Sequence, residues 1–323
     1  MREKVQCIYI DPPYNTGSDG FAYKDGLKSS SWLSLLDSRL ALAKGVMADT
    51  GVIYSSIDKR ERDNLKCVMS QTFGSENFVE DLIWVQDTVS NNAPEYSTNH
   101  EYVQVFCKAK AALKRIPNMF RGTRPGYAEV MELVSTLEKD FPPSADIKKS
   151  LNELYKDQRE QHLAFCEEQG IDAAEAKKID PWKGIYPYKH IEYRTKEGRL
   201  VSDGEARSLG ARAWVWREVE PSMPSAKQSP TTKDPKDPNY RFYRPPHPKT
   251  GRPCTPPKRG WSFPYNPLDG RASFTEYCAD DRLYFKDDDT AIPQQKYFLH
   301  EVESVVATSV FRQYADGEPR LQS

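Results

Sequence analysis

Apolar positions in the first third of the chain alternate between two spacings. Val5–Ile10 (VQCIYI) is a short apolar run ending at Asp11, the pattern of a buried strand. Residues 31–48 carry Trp32, Leu35, Leu36, Leu40, Leu42, Ala43, Val46 and Met47, a helical stripe that Gly51 is expected to stop. Residues 52–57 (VIYSSI) read as the next strand, and Asp58 as the N-cap of a helix over 59–72 with Leu65, Val68 and Met69 inward. Phe78–Val85 and residues 102–106 read as two further strands. Strand and helix in repeated order predict an α/β fold, a parallel sheet with helices on its faces.

The pattern then changes twice. Over 111–180, Leu133, Leu137, Ile147, Leu151, Leu154 and Tyr155 recur at helical spacing among many charges, which predicts a helical insertion at 126–178 or, without any chemistry, a solvated helical hairpin. After residue 180, thirteen of the 24 prolines fall between Pro221 and Pro267. Proline neither donates to a ladder nor continues a helix, so this region reads as loops and short edge strands. Within it, residues 241–262 hold Arg241, Arg244, Lys249, Arg252, Lys258 and Arg259 and no acidic residue, with Phe242, Tyr243 and Trp261 interleaved. Cations beside aromatics suit a phosphate backbone and exposed bases, although a solvated basic loop has the same composition.

Composition narrows the classes. With 11% aromatics among 38% hydrophobic residues the chain can build a core and is not disordered throughout. No apolar run approaches the ~20 residues of a membrane span, and no secretory leader is expected. The six cysteines form no CxxC pair and read as reduced thiols of a cytoplasmic protein. A net charge of -1 names no partner, so any nucleic-acid surface must be local. No GxxxxGK[ST] loop is present, so no ATPase is expected on this chain.

Chemistry enters at the end of the first strand, with Asp11-Pro12-Pro13-Tyr14. Open α/β sheets bind ligands at the carboxyl ends of their strands. The tetrapeptide resembles the catalytic motif of the amino-methylating DNA methyltransferases. The longer run IYIDPPYNTGSDGFAYKD, with its Asn15-Thr16-Gly17 extension, is similar to the modification (Mod) subunits of type III restriction systems, as are SWLSLLDSRLALAKGVMADTGVIYSSID, GSENFVEDLIWV, STNHEYVQVFCK, HPKTGRPCTPPKRGW and RLYF…IPQQKYFL. The central helical stretch matches least.

The resemblance implies a partial doubly wound, Rossmann-like methyltransferase sheet plus a helical insertion and a Pro-rich target-recognition region. Residues 1–110 would be the catalytic half, 111–300 the recognition region and 301–323 a return toward the cofactor-binding half. It implies S-adenosylmethionine as methyl donor and double-stranded DNA as substrate, methylated at a flipped-out adenine N6. Asp11 and the Pro12 carbonyl would take the two amine hydrogens and edge the cofactor site, with Pro13 completing the turn. Tyr14 and Tyr102 would wall the base pocket, with His100 and Tyr96 nearby and Trp32 beside the cofactor. The 241–262 cations and Trp261 would contact DNA.

One departure stands out: the Phe-x-Gly-x-Gly cofactor loop of this group has no match, and Thr72-Phe73-Gly74-Ser75 is only a partial echo. The expectation is a fragment that binds the cofactor weakly unless a second chain supplies the other half, with a Mod dimer and a restriction subunit as further partners. A DNA-recognition remnant without activity and a cytosine-N4 methyltransferase are the alternatives. Asp rather than Ser at position 11 favours adenine.

Overall fold

A computed structural model of the chain describes residues 3–16, 26–86 and 96–312. Gly17 and the end of the return segment, 313–323, lie outside the described residues. The chain divides into two compact units, Met1–Gly122 with Ser304–Ser323, and Thr123–Glu303.

The first unit is an α/β sheet. Its strands β1 (Val5–Ile10), β2 (Met47–Ile57), β3 (Phe78–Val85) and β4 (His100–Cys107) lie in the order β1, β2, β4, β3, followed by the short strand Val310–Arg312. β1 and β2 are parallel, as are β3 and Val310–Arg312, whereas β4 runs antiparallel to both its neighbours. The sheet is therefore mixed, not parallel as expected. β3 leads to β4 with no crossover helix among the described residues, and strands joined that way pair antiparallel.

Helices α1 (Ser29–Val46) and α2 (Arg62–Phe73) cover one face. Trp32, Leu36 and Leu40, spaced by four, meet Leu65, Val68, Met69 and Phe73 over Met47, Ile53, Ile57 and Phe106. Side chains alternate across a strand, so Val52, Val105 and Cys107 face the other way, under Leu113, Ile116, Met119 and Phe120. That second cluster draws the chain up to Gly122 into the first unit, twelve residues beyond the expected limit of 110.

Several local expectations shift. α1 ends at Val46, and Met47 already belongs to β2, so Gly51 sits inside the strand instead of stopping the helix. The β1–β2 register breaks there, from Val5 opposite Met47 to Cys7 opposite Val52. A Cβ on Gly51 would lie 2.8 Å from the Val5 carbonyl oxygen and 2.9 Å from that of Ala48, so the bulge requires glycine. Leu42, counted in the stripe, is 74% exposed. Asp58 accepts the Arg60 backbone N–H at 2.8 Å in a turn, and Glu61 takes the N-cap position of α2. β1 is not buried: among the described residues it is the sheet's edge, flanked by β2 alone, and Gln6, Cys7 and Tyr9 are exposed.

The second unit combines the helices Tyr127–Leu137, Ser144–Glu168 and Ala173–Ile179, among shorter ones, with an antiparallel sheet. The strand order is Leu200–Val201, His190–Arg194, Arg212–Val219, Gln294–Phe298, Leu283–Tyr284. Val130, Val134, Ile147, Leu151 and Tyr155 share one core with Tyr193, Val201 and Val215, so helices and sheet form a single hydrophobic body. Inside it Glu192 accepts Arg194 Nε and Lys296 Nζ, each at 2.6 Å, and the Arg194 guanidinium also donates to the carbonyls of Gly198, Asp280 and Asp281. No helix among the described residues is long and apolar enough to cross a membrane.

Candidate active site

β1 delivers Asp11 to the carboxyl end of the parallel β1–β2 pair, and the two prolines follow it directly. Asp11, Pro13, Tyr14 and Asn15 are each held from a different element. Ser56, one residue beyond the Ile10–Ser55 register pair, donates its hydroxyl to Asp11 Oδ1 at 2.6 Å. The fully buried Trp32 donates Nε1–H to the Pro13 carbonyl at 2.7 Å. Tyr14 donates its hydroxyl to Glu101 Oε2 at 3.1 Å, while Gln86 Nε2 donates to Glu101 Oε1 at 2.9 Å. Asn15, with φ at 58°, donates Nδ2–H to Glu61 Oε1 at 2.7 Å.

The electrostatics follow from these contacts. Burial, then the carboxylates of Glu101 and Asp11, hold the Tyr14 phenol far above its ordinary pKa, against a hydrogen bond from Ser56. Tyr14 is thus a neutral donor with an aromatic face, not a base. Asp11 is exposed, and its Oδ1 is engaged by Ser56. Oδ2 has no partner among the described residues, so Asp11 presents one acceptor at the open end of the sheet. Asn15 Oδ1 is a second free acceptor, buried and without a partner among the described residues. No cluster able to hold a metal ion occurs among the described residues.

The structure brings Asp11, Pro12, Pro13 and Tyr14 together, and Tyr102 packs against the same hydrophobic cluster as Tyr14, with its hydrogen bond made elsewhere. Tyr102 pairs opposite Ile57 on the helix-covered face, its ring under the Arg62 guanidinium at 4.6 Å and its hydroxyl 2.8 Å from His100 Nε2. Its neighbour Glu101, on the opposite face, is the β4 residue that meets Tyr14. Tyr96 is almost fully exposed.

The basic segment 241–262 sorts into three groups. Arg241 and Trp261 are buried, which corrects their assignment to a DNA-facing surface. The Arg241 guanidinium holds the Asn239 side chain, and Trp261 stacks on Tyr243 among Phe263, Phe274 and Leu283, its Nε1–H on the Tyr243 carbonyl. An aromatic interleaved with cations is as useful to a core as to a base. Lys249 and Arg252 are exposed but neutralised in part by Asp287 at 2.7 Å and Asp289 at 3.6 Å. Arg244, Lys258 and Arg259 are exposed without a carboxylate partner among the described residues, Arg259 reaching Ser222 and Ser225 hydroxyls.

Ser56, Glu101 and Glu61 are the site residues that sequence reasoning missed. A signal for Ser56 existed: two parallel strands ending together put it beside Asp11. For Glu101 the strand alternation in EYVQ was the only hint.

Comparison with known proteins bears on this arrangement. A family model described as DNA methylase, for N6 and N4 methyltransferases, matches residues 5–233, well over half of the chain. The type III restriction-modification enzyme EcoP15I Mod subunit of Escherichia coli is 25% identical over 338 residues, covering 95% of this chain and 43% of that protein. The StyLTI Mod subunit of Salmonella typhimurium is 36% identical over 160 residues, 40% of this chain and 24% of its own length. The type II methyltransferase M.KpnI of Klebsiella pneumoniae is 36% identical over 118 residues, 33% of this chain and 28% of that protein. The chain thus spans less than half the length of these relatives. The matched region contains the whole Asp11–Tyr14 turn and every residue that fixes it, and the chain belongs to the DNA methylase family of N6 and N4 methyltransferases.

Proposed function

We propose that this chain carries the catalytic turn of an adenine-N6 DNA methyltransferase of the type III Mod kind, working in the cytoplasm on double-stranded DNA. The observation that carries the reading is Asp11 held through one carboxylate oxygen by Ser56, in a turn pinned at Pro13 and Tyr14. An exocyclic amine is a weak nucleophile because its lone pair is delocalised into the ring. Asp11 Oδ2 and the Pro12 carbonyl are the two acceptors for its hydrogens, and together they favour a nitrogen whose lone pair is free to attack. The effect is orientation and electrostatics, without a covalent enzyme intermediate. Asp11 or water then takes the proton released on transfer. The Tyr14 ring offers the extruded base a stacking face, worth ~1–3 kcal/mol.

The donor set fits a cationic methyl donor: Asp11 and the buried, unpartnered Asn15 Oδ1 are acceptors, and no cation pairs with Asp11 among the described residues. S-adenosylmethionine, edged by Asp11 and Pro12, would supply the methyl group as an electrophile. Arg244, Lys258 and Arg259 are the cations proposed to meet phosphates, with Lys249 and Arg252 contributing once their carboxylate partners are displaced. Tyr102 is kept as an outer wall of the base pocket. A second Mod chain, a chain supplying the glycine-rich cofactor half and a restriction subunit are the proposed partners.

The test is methyl transfer from labelled S-adenosylmethionine to DNA by the full chain, with digestion to nucleosides. N6-methyladenine that disappears in Asp11→Ala supports the reading, N4-methylcytosine moves it to the other base, and DNA binding with no incorporation at all favours the recognition-only alternative.

A further inference from the structure

The Glu61 carboxylate is buried, only 5% exposed, and has no role in the chemistry above. It accepts Asn15 Nδ2–H at 2.7 Å, Asn64 Nδ2–H at 2.6 Å and the Ser29 hydroxyl at 3.4 Å, and no Lys or Arg pairs with it among the described residues. One acceptor therefore joins the catalytic turn, the start of α1 and the start of α2.

The consequence falls on Asn15. A carboxylate can only accept, so Asn15 must turn its NH2 to Glu61 and its carbonyl oxygen away. Flipping the amide would set two acceptors against each other. The direction of Oδ1 is thus fixed by Glu61. The backbone is fixed as well, since φ of 58° lies in the left-handed region that asparagine tolerates better than most residues. Oδ1 so fixed is buried and unpartnered among the described residues, directly after Tyr14. A buried acceptor without a donor is unfavourable, and such groups call for an explanation.

We propose that Glu61 is a positioning residue that locks Asn15 so that Oδ1 accepts a hydrogen bond from a nitrogen donor of a bound ligand, an ammonium or an exocyclic amine. With Asp11 and Glu61 nearby, an anion is disfavoured. The inference rests on the methyltransferase reading only for the source of that nitrogen: the ammonium of S-adenosylmethionine or the amine of an adenine.

The experiment is NMR of the full chain labelled with 15N-asparagine, the Asn15 side-chain signals being identified by their loss in Asn15→Gly. In the free chain one Asn15 Nδ2 proton is expected downfield and protected from exchange, and Glu61→Leu, which leaves no acceptor, should return it to the position of a free amide. An Asn15 amide that is free in the native chain, or unmoved by Glu61→Leu, overturns the positioning role. This half needs no catalysis, so it stands or falls independently of methyl transfer. For the acceptor half, millimolar S-adenosylmethionine and an adenine-containing oligonucleotide are titrated separately. A shift of the Asn15 signals by the first assigns the ammonium, by the second the amine. No shift with either overturns the acceptor. Glycine adopts positive φ freely, so Asn15→Gly should fold even if Glu61→Leu does not. It should bind the ligand that shifts the signals about tenfold more weakly, the size of one lost hydrogen bond to a charged group. Unchanged affinity in Asn15→Gly also overturns the acceptor.

Discussion

Asp11 has two carboxylate oxygens, and Ser56 takes one of them at 2.6 Å. This division of labour predicts two graded outcomes. Asp11→Ala removes the acceptor itself and should lower methyl transfer by ~10²–10⁴ with DNA binding little changed. Ser56→Ala leaves the acceptor but frees its rotamer, and should lower kcat by about 10-fold to 10²-fold, the range for misplacing a reacting group, with KM for DNA nearly unchanged. Steady-state kinetics on whichever preparation supports turnover decides between the two roles. If Ser56→Ala matches the loss in Asp11→Ala, Ser56 takes a direct part in the chemistry. Asp11 to Tyr14 could be found in the sequence because four adjacent residues carry the motif. Ser56 and Glu101 stand 45 and 87 residues away from their partners, and nothing in a linear pattern marks such contacts.

At the scale of elements, apolar spacing located β1 to β4, α1 and α2 but misjudged where they end and pair. Ends depend on caps and bulges: Met47 continues from helix into strand without a break, and Gly51 serves a crowded bulge. Gly51→Val should destabilise the first unit by about 1–3 kcal/mol through overpacking against the Val5 and Ala48 carbonyls, read as a lower urea midpoint at unchanged slope. In the second unit the Glu192–Arg194–Lys296 network makes a stronger demand. Glu192→Ala strands two buried cations and should be destabilising by ~3–5 kcal/mol. Chemical denaturation that finds the variant within ~1 kcal/mol of wild type would show that water reaches those cations.

At the scale of the whole molecule, two units with separate cores respond to separate variables. His190 and His300 both belong to the second unit. Burial holds both imidazoles below their ordinary pKa. Lys148 and Lys189 add to this at His190 against Glu218, and Arg282 and Arg194 add to it at His300 against Glu301. Depressed histidines favour the fold in their neutral form. Their contribution is full above the unfolded pKa near ~6.5 and lost as pH falls through the lower folded values. The melting temperature should therefore fall on acidification from about pH 6.5 to 5, and less so in a His190→Gln, His300→Gln variant. The proposed DNA surface is a second property at this scale. Changing Arg244, Lys258 and Arg259 to Ala should weaken binding to every sequence and flatten log affinity against log salt by up to ~3 units, while an unchanged slope with folded protein removes this segment from the interface. Charge counting found the segment, but burial divided it: the sequence of Arg241 and Trp261 looks no different from that of Arg244 and Lys258, and only the packing separates them.

Asp11, the proposed catalytic residue, hangs from an edge strand. β1 is hydrogen-bonded on one side only among the described residues, and half of it is exposed. Segments with few buried contacts open locally at a fraction of the global free energy. In hydrogen exchange the β1 amides should therefore exchange well before those of β2 and β4, and they should do so while circular dichroism still reports a native fold. On warming, Asp11 would part from Ser56 in such an excursion before any core melts. Loss of function and loss of fold become two events at two temperatures, and whatever binds along β1 or at its Asp11 end raises the first toward the second.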